Sequence, residues 1–159
     1  MEIAMRAPNG VMLQPKSEDT RGIYEHGRKR FLEEASILKS LQNIQAVVKI
    51  LDYFNANGTS YFVMEYLDGI TLKGLMRSMG GRIPYDQLMP LLFELCDALE
   101  KVHVGKKIFH RDISPENIII MTNGHGKLID FGNAKYMINR SDQKLSVVLK
   151  PGFAPFEQY

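Results

Sequence analysis

The sequence predicts an α+β fold, on three observations. A stretch of helical period precedes two strand-like runs joined by an Asn-Gly turn. A longer helical stretch with a broad apolar face follows them. Behind it comes a second strand–turn–strand unit with polar residues at both open ends. The chain has 159 residues, 45% hydrophobic and 24% charged, so it is long enough for one domain with a core and reads as soluble and globular. A formal net charge of +2 is too small to argue for nucleic acid or an acidic membrane surface as partner. No apolar run reaches membrane-spanning length, and no signal-peptide pattern opens the chain. The single cysteine, Cys96, rules out an intramolecular disulfide and is expected to be a buried thiol. Its solitude is compatible with a reducing, cytoplasmic setting.

Taken in order, residues 1–26 read as an irregular lead-in, punctuated by Pro8, Asn9, Gly10 and Pro15. From Gly27 to Leu41, Phe31, Ala35, Leu38 and Leu41 recur at helical spacing on one face. Val47 to Leu51 and Ser60 to Tyr66 read as strands, and Asn55 to Gly58 between them predicts a hairpin. Asp68-Gly69 should end the second strand. Thr71 is placed to cap a short helix over Leu72 to Met76. Tyr85 to His103 should be a longer helix, with Leu88, Leu91, Leu92, Leu95, Ala98, Leu99 and Val102 on its apolar face. Pro90 falls within its first turns. Ile108-Phe109 precedes the polar segment 110–117. Ile118 to Met121 and Lys127 to Ile129 then form a hairpin around Asn123-Gly124. Residues 130–159 read as irregular.

The chemistry sits between His110 and Gly132. Asp112 precedes the first strand of that hairpin, Asn117 opens it and Asp130 follows the second. A hairpin brings its open ends together, so these three oxygen-bearing groups should converge. Such a hard-donor set suits Mg²⁺, which takes few protein ligands and completes its shell with water and phosphate oxygens.

At this point the residues resemble the protein kinase family. His110-Arg111-Asp112-Ile113-Ser114-Pro115-Glu116-Asn117 is similar to the H-R-D-x-x-x-x-N loop, and Asp130-Phe131-Gly132 to D-F-G. Either motif alone is weak, whereas both in register around a hairpin are highly specific. The resemblance implies a partial two-lobed kinase-like fold, with 27–67 as part of the N-lobe and hinge and 68–159 as part of the C-lobe. It implies ATP and Mg²⁺ as cofactors and a protein Ser/Thr hydroxyl as acceptor. Asp112 would be the base, with Asn117 and Asp130 as metal ligands. Glu34 would be the glutamate of the family's αC helix. Met64 would stand behind the adenine, Glu65, Tyr66 and Leu67 would form the hinge, and Ile119 would lie under the base. Leu38, Ile50, His110 and Phe131 match the stacked residues of the regulatory spine. Taken bare, these are core, strand and turn residues, and Glu34 a surface charge.

The pattern also departs from the family. No G-x-G-x-x-G loop and no V-A-I-K strand are found. Lys16 stands at a tolerable distance before Glu34, but it follows a proline and reads as a solvated loop charge. The sequence stops after Ala154-Pro155-Phe156-Glu157, which is similar to A-P-E with one residue inserted. It therefore reads as truncated at both ends, and the isolated chain is expected to be unstable or partly ordered. Ser114 occupies a position where serine/threonine kinases carry lysine, while Lys150 replaces a threonine expected before Pro151-Gly152. One reading is that the cation has moved from position 114 to Lys150, since Coulomb stabilisation needs a charge near the phosphoryl group rather than a given chain position. A surface charge is an equal reading of Lys150. Ser141 and Ser146 are candidate phosphosites, with Arg111 as a partner for such a phosphate, or plain loop serines.

Three functions compete: a serine/threonine kinase of bacterial eukaryotic-like type, a catalytically dead relic serving as a binding module, and a small-molecule phosphotransferase of the aminoglycoside or choline kinase type. Arg111, Pro115-Glu116-Asn117 and the 154–157 segment favour the first over the third. Serine/threonine against tyrosine specificity, the protein substrate and the oligomeric state are open at this stage.

Overall fold

A computed structural model describes residues 3–136. Two short strands, β1 (Ala4–Arg6) and β2 (Leu13–Pro15), pair antiparallel at the start. This stretch is therefore a hairpin and not an irregular lead-in. The Asn9 side chain shapes its turn by accepting hydrogen bonds from the amides of Val11 and Met12 at 3.1 Å. Lys16 follows directly on β2, and its amide donates to the Ile3 carbonyl at 3.1 Å. A strand thus leads into that lysine after all, with Pro15 tolerated as its last residue.

The first helix, α1, spans Glu18–Ser40 and begins well before Gly27. Ser17 precedes it, with its amide donating to Thr20 Oγ1 at 2.9 Å, and Glu18 and Asp19 place negative charge in the first turn. Gly22 and Gly27 disguised this start, because two glycines weaken a helical pattern. Its inner face carries Ala35, Ile37 and Leu38, and Phe31 stacks on Phe62 with ring centroids 4.2 Å apart.

β3 (Ile50–Ala56) and β4 (Thr59–Met64) form the expected hairpin. Asn57 and Gly58, both at positive φ (52° and 76°), make its two-residue turn, as a tight hairpin requires. Leu13 donates from its amide to the Asn57 carbonyl at 2.8 Å, and Tyr24 donates its hydroxyl to Gly58 at 2.8 Å. The first hairpin and α1 thereby hold the tip of the second. Val47 and Val48 lie outside β3. Instead, Val48 and Leu128 join this segment to the later hairpin, the Val48 amide donating to the Leu128 carbonyl at 3.0 Å and the Leu128 amide to Ala46 at 2.7 Å.

Gly69 opens a strand, β5 (Gly69–Thr71), where the sequence suggested only the end of one. β5 pairs with β7 (Ile118–Met121), and β7 with β8 (Gly126–Leu128), in one antiparallel sheet. A side chain at Gly69 would collide with the Ile120 carbonyl oxygen, so this pairing needs glycine there. Thr71 caps α2 (Leu72–Ser78) as expected, its hydroxyl accepting the Gly74 amide at 3.0 Å.

The long helix α3 spans Tyr85–Glu100 and then widens into a π-turn at Lys101–Gly105. Pro90 is accommodated inside it. Leu91, Leu95, Ala98 and Val102 are buried, each apolar side chain of leucine size contributing about 2 kcal/mol on transfer. Leu92 and Cys96 are exposed, so the apolar face is narrower than the sequence suggested and the thiol is not a core group. The helix can lie close to β8 because Gly126 is there, where a Cβ would stand 2.6 Å from a Leu91 methyl. β6 (Ile108–Phe109) pairs with β9 (Lys135–Tyr136), a strand in the segment read as irregular. One core joins these parts, with Leu38, Leu41, Ile50, Val47, Val48, Ile108, Leu128 and Phe131 all at or below 2% exposure. Among the described residues, no helix is long and apolar enough to cross a membrane.

Candidate active site

A cleft of about 430 Å³ opens beside the core, lined by Glu34, Val48, Phe62, Met64, Glu65, Tyr66, Leu67, Ile119, Ile129 and Asp130. Its size suits a small molecule. Seven expected site residues (Glu34, Met64, Glu65, Tyr66, Leu67, Ile119 and Asp130) meet there, contributed by α1, the end of β4, the segment after it, β7 and the turn after β8. Val48, Phe62 and Ile129 line the same walls and were not foreseen. All three fall in runs that the sequence marks as strands, and Ile129 also stands beside Asp130.

The two ends of the cleft differ. At one end, the Glu65 amide donates to the Lys49 carbonyl at 3.0 Å. The Glu65 carboxylate in turn accepts the Lys49 amide at 2.9 Å and the Lys127 ammonium at 2.7 Å. Lys127 is only 12% exposed, and its Nζ also lies 3.5 Å from the Val47 carbonyl. Burial pushes the Glu65 carboxyl up, but hydrogen bonds from Lys127 and the Lys49 amide, with both lysine charges, outweigh it and leave it below the usual range. Glu65 is thus fixed through both its main chain and its side chain.

At the other end stand Asp130 and Glu34. Asp130 has φ 60°, a left-handed conformation that costs about 1 kcal/mol or more for a residue with a side chain. Its Oδ1 accepts the Gly132 amide at 3.2 Å. A Cβ on Gly132 would stand 3.2 Å from Asp130 Oδ1 and 3.4 Å from Glu34 Oε2, so the missing side chain lets both carboxylates approach this turn. Burial raises the Glu34 carboxyl above its usual range and the Asp130 charge adds to this, while the Phe131 amide and Arg30 pull it down.

The catalytic-loop segment is tied to the same turn. Asn117, buried at 7% exposure, donates from Nδ2 to the Asp112 carbonyl at 2.9 Å. Its own carbonyl accepts the Ile129 amide at 3.0 Å, next to Asp130. The two open ends of the β7–β8 hairpin are therefore joined directly, with Asn117 bonded to the Asp112 main chain on one side and to the residue before Asp130 on the other. Arg111, at φ 67°, gives the loop its second left-handed turn. His110 Nε2 lies 3.2 Å from the Ile129 carbonyl, its Nδ1 accepts the Asp112 amide at 3.3 Å, and its ring packs on Phe131 with centroids 4.4 Å apart. Leu38, Ile50 and Phe131 share the core beneath. Ser114 is buried at 2% exposure, its carbonyl accepting the Asn117 amide at 2.9 Å. Lys150, Ser141, Ser146 and the 154–157 segment lie outside the described residues.

The sequence matches the family described as protein kinase domain over residues 4–157. The chain belongs to the protein kinase family. It is 38% identical over 109 residues to a probable serine/threonine-protein kinase of Clostridium perfringens, covering 69% of this chain and 16% of that protein. It is 35% identical over 144 residues to the serine/threonine-protein kinase PknA of Nostoc, covering 86% of this chain and 25% of that one. A solved structure, PpkA-294 in its apo form, superposes with a TM-score of 0.73 at 28% identity, over 82% of this chain and 45% of that chain. This kinase chain therefore spans a quarter or less of the length of those two curated relatives. The fold is that of part of a protein kinase, and the relatives of serine/threonine type agree with the expectation from the sequence.

The donor set suits the family's cofactors. Asp130 offers carboxylate oxygens, and Asn117, with Nδ2 committed to Asp112, has its amide oxygen left for a cation. Two hard oxygen donors match what Mg²⁺ takes from a protein when phosphate and water complete its shell. The apolar walls beyond them suit a planar base.

Proposed function

We propose that this chain carries the nucleotide cleft and catalytic loop of a serine/threonine protein kinase, one that transfers the γ-phosphoryl group of ATP to a protein hydroxyl. The observation that carries the reading is the polarity of the cleft: apolar walls run from the clamped segment 65–67 to Asp130, which is bonded through Ile129 and Asn117 to the Asp112 loop. The adenine would lie between Val48 and Ile119, with Met64 behind it and backbone groups of 65–67 along its edge. Asp130 and Asn117 would hold Mg²⁺, which when bound neutralises the polyphosphate. Asp112 would orient the acceptor hydroxyl and take its proton as the new oxygen–phosphorus bond forms. Lys150 would supply the cation that Ser114 does not. Glu34 would hold the Asp130 turn from α1. The N-lobe would end at Leu67 and the C-lobe would begin at Asp68.

Titration of the 159-residue chain with a fluorescent ATP analogue, with and without Mg²⁺, tests this. Saturable, Mg²⁺-enhanced binding is expected, and Asp130→Asn should remove the enhancement while adenosine still competes. Binding indifferent to Mg²⁺ in the unaltered chain would overturn the reading. A second reading, a binding module without transfer activity, is favoured by one feature. Glu34 and Asp130 both line the cleft, so a polyphosphate without a metal would meet two carboxylates there. Absence of any nucleotide binding would support it.

A further inference from the structure

Asp130 has a left-handed backbone, and α1 reaches the turn that follows it with two charged side chains. Arg30 donates from NH2 to the Gly132 carbonyl at 3.0 Å. One helical turn later the Glu34 carboxylate reaches the same turn, its Oε2 3.4 Å from where a Cβ on Gly132 would stand. Residues four apart stand above one another on a helix face, so a guanidinium and a carboxylate arrive together. Arg30 takes the Gly132 carbonyl, and Glu34 stands beside the same residue. The Arg30 bond is charge-assisted, and Arg30, unlike Glu34, is not among the residues that line the cleft.

We infer that Arg30 is a positioning residue that sets the Asp130 carboxylate for the metal through the Gly132 carbonyl. The physical reason is that a left-handed aspartate persists only where its surroundings over-determine it. From below, Phe131 is buried at 1% exposure against His110, which fixes one side of the turn. Within the turn, Asp130 Oδ1 accepts the Gly132 amide. The Gly132 carbonyl is the remaining handle on that same residue, and Arg30 holds it. Rotation of Gly132 would also move the amide that orients Asp130 Oδ1. Arg30 is itself exposed and makes no part of the core, so its loss should leave the fold in place.

The inference rests on the metal role proposed for Asp130, and two measurements separate them. Amide exchange in the nucleotide-free 159-residue chain should be faster at Phe131 and Gly132 in Arg30→Ala than in the unaltered chain, with Ile50 and Leu128 unchanged. Unchanged exchange at 131 and 132 would overturn the grip, whether or not nucleotide binds. In the fluorescent ATP titration, Arg30→Ala should raise the Mg²⁺ midpoint by roughly threefold to tenfold, the reach of one charge-assisted hydrogen bond at an exposed site. Adenosine affinity should not change. Arg30→Lys, which keeps a donor, should restore most of the shift, and Lys29→Ala on the same helix should cause none. An equal loss of adenosine and Mg²⁺ affinity, or a Lys29→Ala effect of the same size, would overturn the inference while leaving the kinase reading intact.

Discussion

At the residue scale, His110 shows how a motif residue can serve by staying uncharged. Its neighbours assign the tautomer: Nδ1 accepts the Asp112 amide, so Nε2 carries the hydrogen toward the Ile129 carbonyl. Burial pushes the ring below its ordinary value of 6.5, against the pull of the Ile129 hydrogen bond and of Asp112 and Asp130. A second proton on Nδ1 would face the Asp112 N–H. In the unfolded chain the ring takes up a proton near its ordinary value, whereas the folded chain resists until lower pH. This contribution to stability is therefore complete above about 6.5 and is lost as pH falls below it. Urea unfolding at pH 7.5 and 5.5 should show a clear drop for the unaltered chain. His110→Phe should start less stable and lose less over the same interval, and an equal drop in both would exclude His110 as the source.

At the element scale, α1 carries the plainest correction to the sequence reading and a way to improve it. Gly22 and Gly27 hid its first turns, yet both have helical backbone and nothing within 4 Å of where a Cβ would stand. Alanine there removes backbone freedom from the unfolded chain and strains nothing in the folded one. Gly22→Ala and Gly27→Ala should each add about 0.5–1 kcal/mol, visible as a rise of a few degrees in Tm. Their effects should add, since neither side chain would touch the other's neighbours. The opposite outcome belongs to Gly126, where the first added carbon meets Leu91 and Leu95 of α3.

At the scale of the whole molecule, the Lys127–Glu65 pair joins parts far apart in sequence. It links β8, which runs into Asp130, to the segment after β4, with the 46–49 stretch held between them by backbone bonds on both sides. One nearly buried ammonium thereby ties β8 to the segment after β4. Lys127→Met keeps the stem and removes the charge, leaving Glu65 with only the Lys49 amide. It should cost about 1–2 kcal/mol, less than a fully buried pair because Glu65 is 26% exposed. Chemical denaturation measures the loss. Glu65→Gln in the same background should add little, since the partner charge is already gone.

The sequence by itself determined the family, the two hairpins with their Asn-Gly turns, the Thr71 cap and the long helix from Tyr85. These are local matters: turn chemistry, period and short motifs are written in adjacent residues. It also named seven of the ten residues that line the cleft, because motif spacing carries them. What only the tertiary structure decided are contacts between distant segments. The strand at Gly69 exists because Ile120 is there to pair with it, and the exposure of Cys96 follows from which stripe of α3 meets β8. The hold of Arg30 on Gly132 and of Lys127 on Glu65 joins residues that no local pattern relates. Each is settled by packing, where a charge or a glycine acquires its role from what the rest of the chain brings against it.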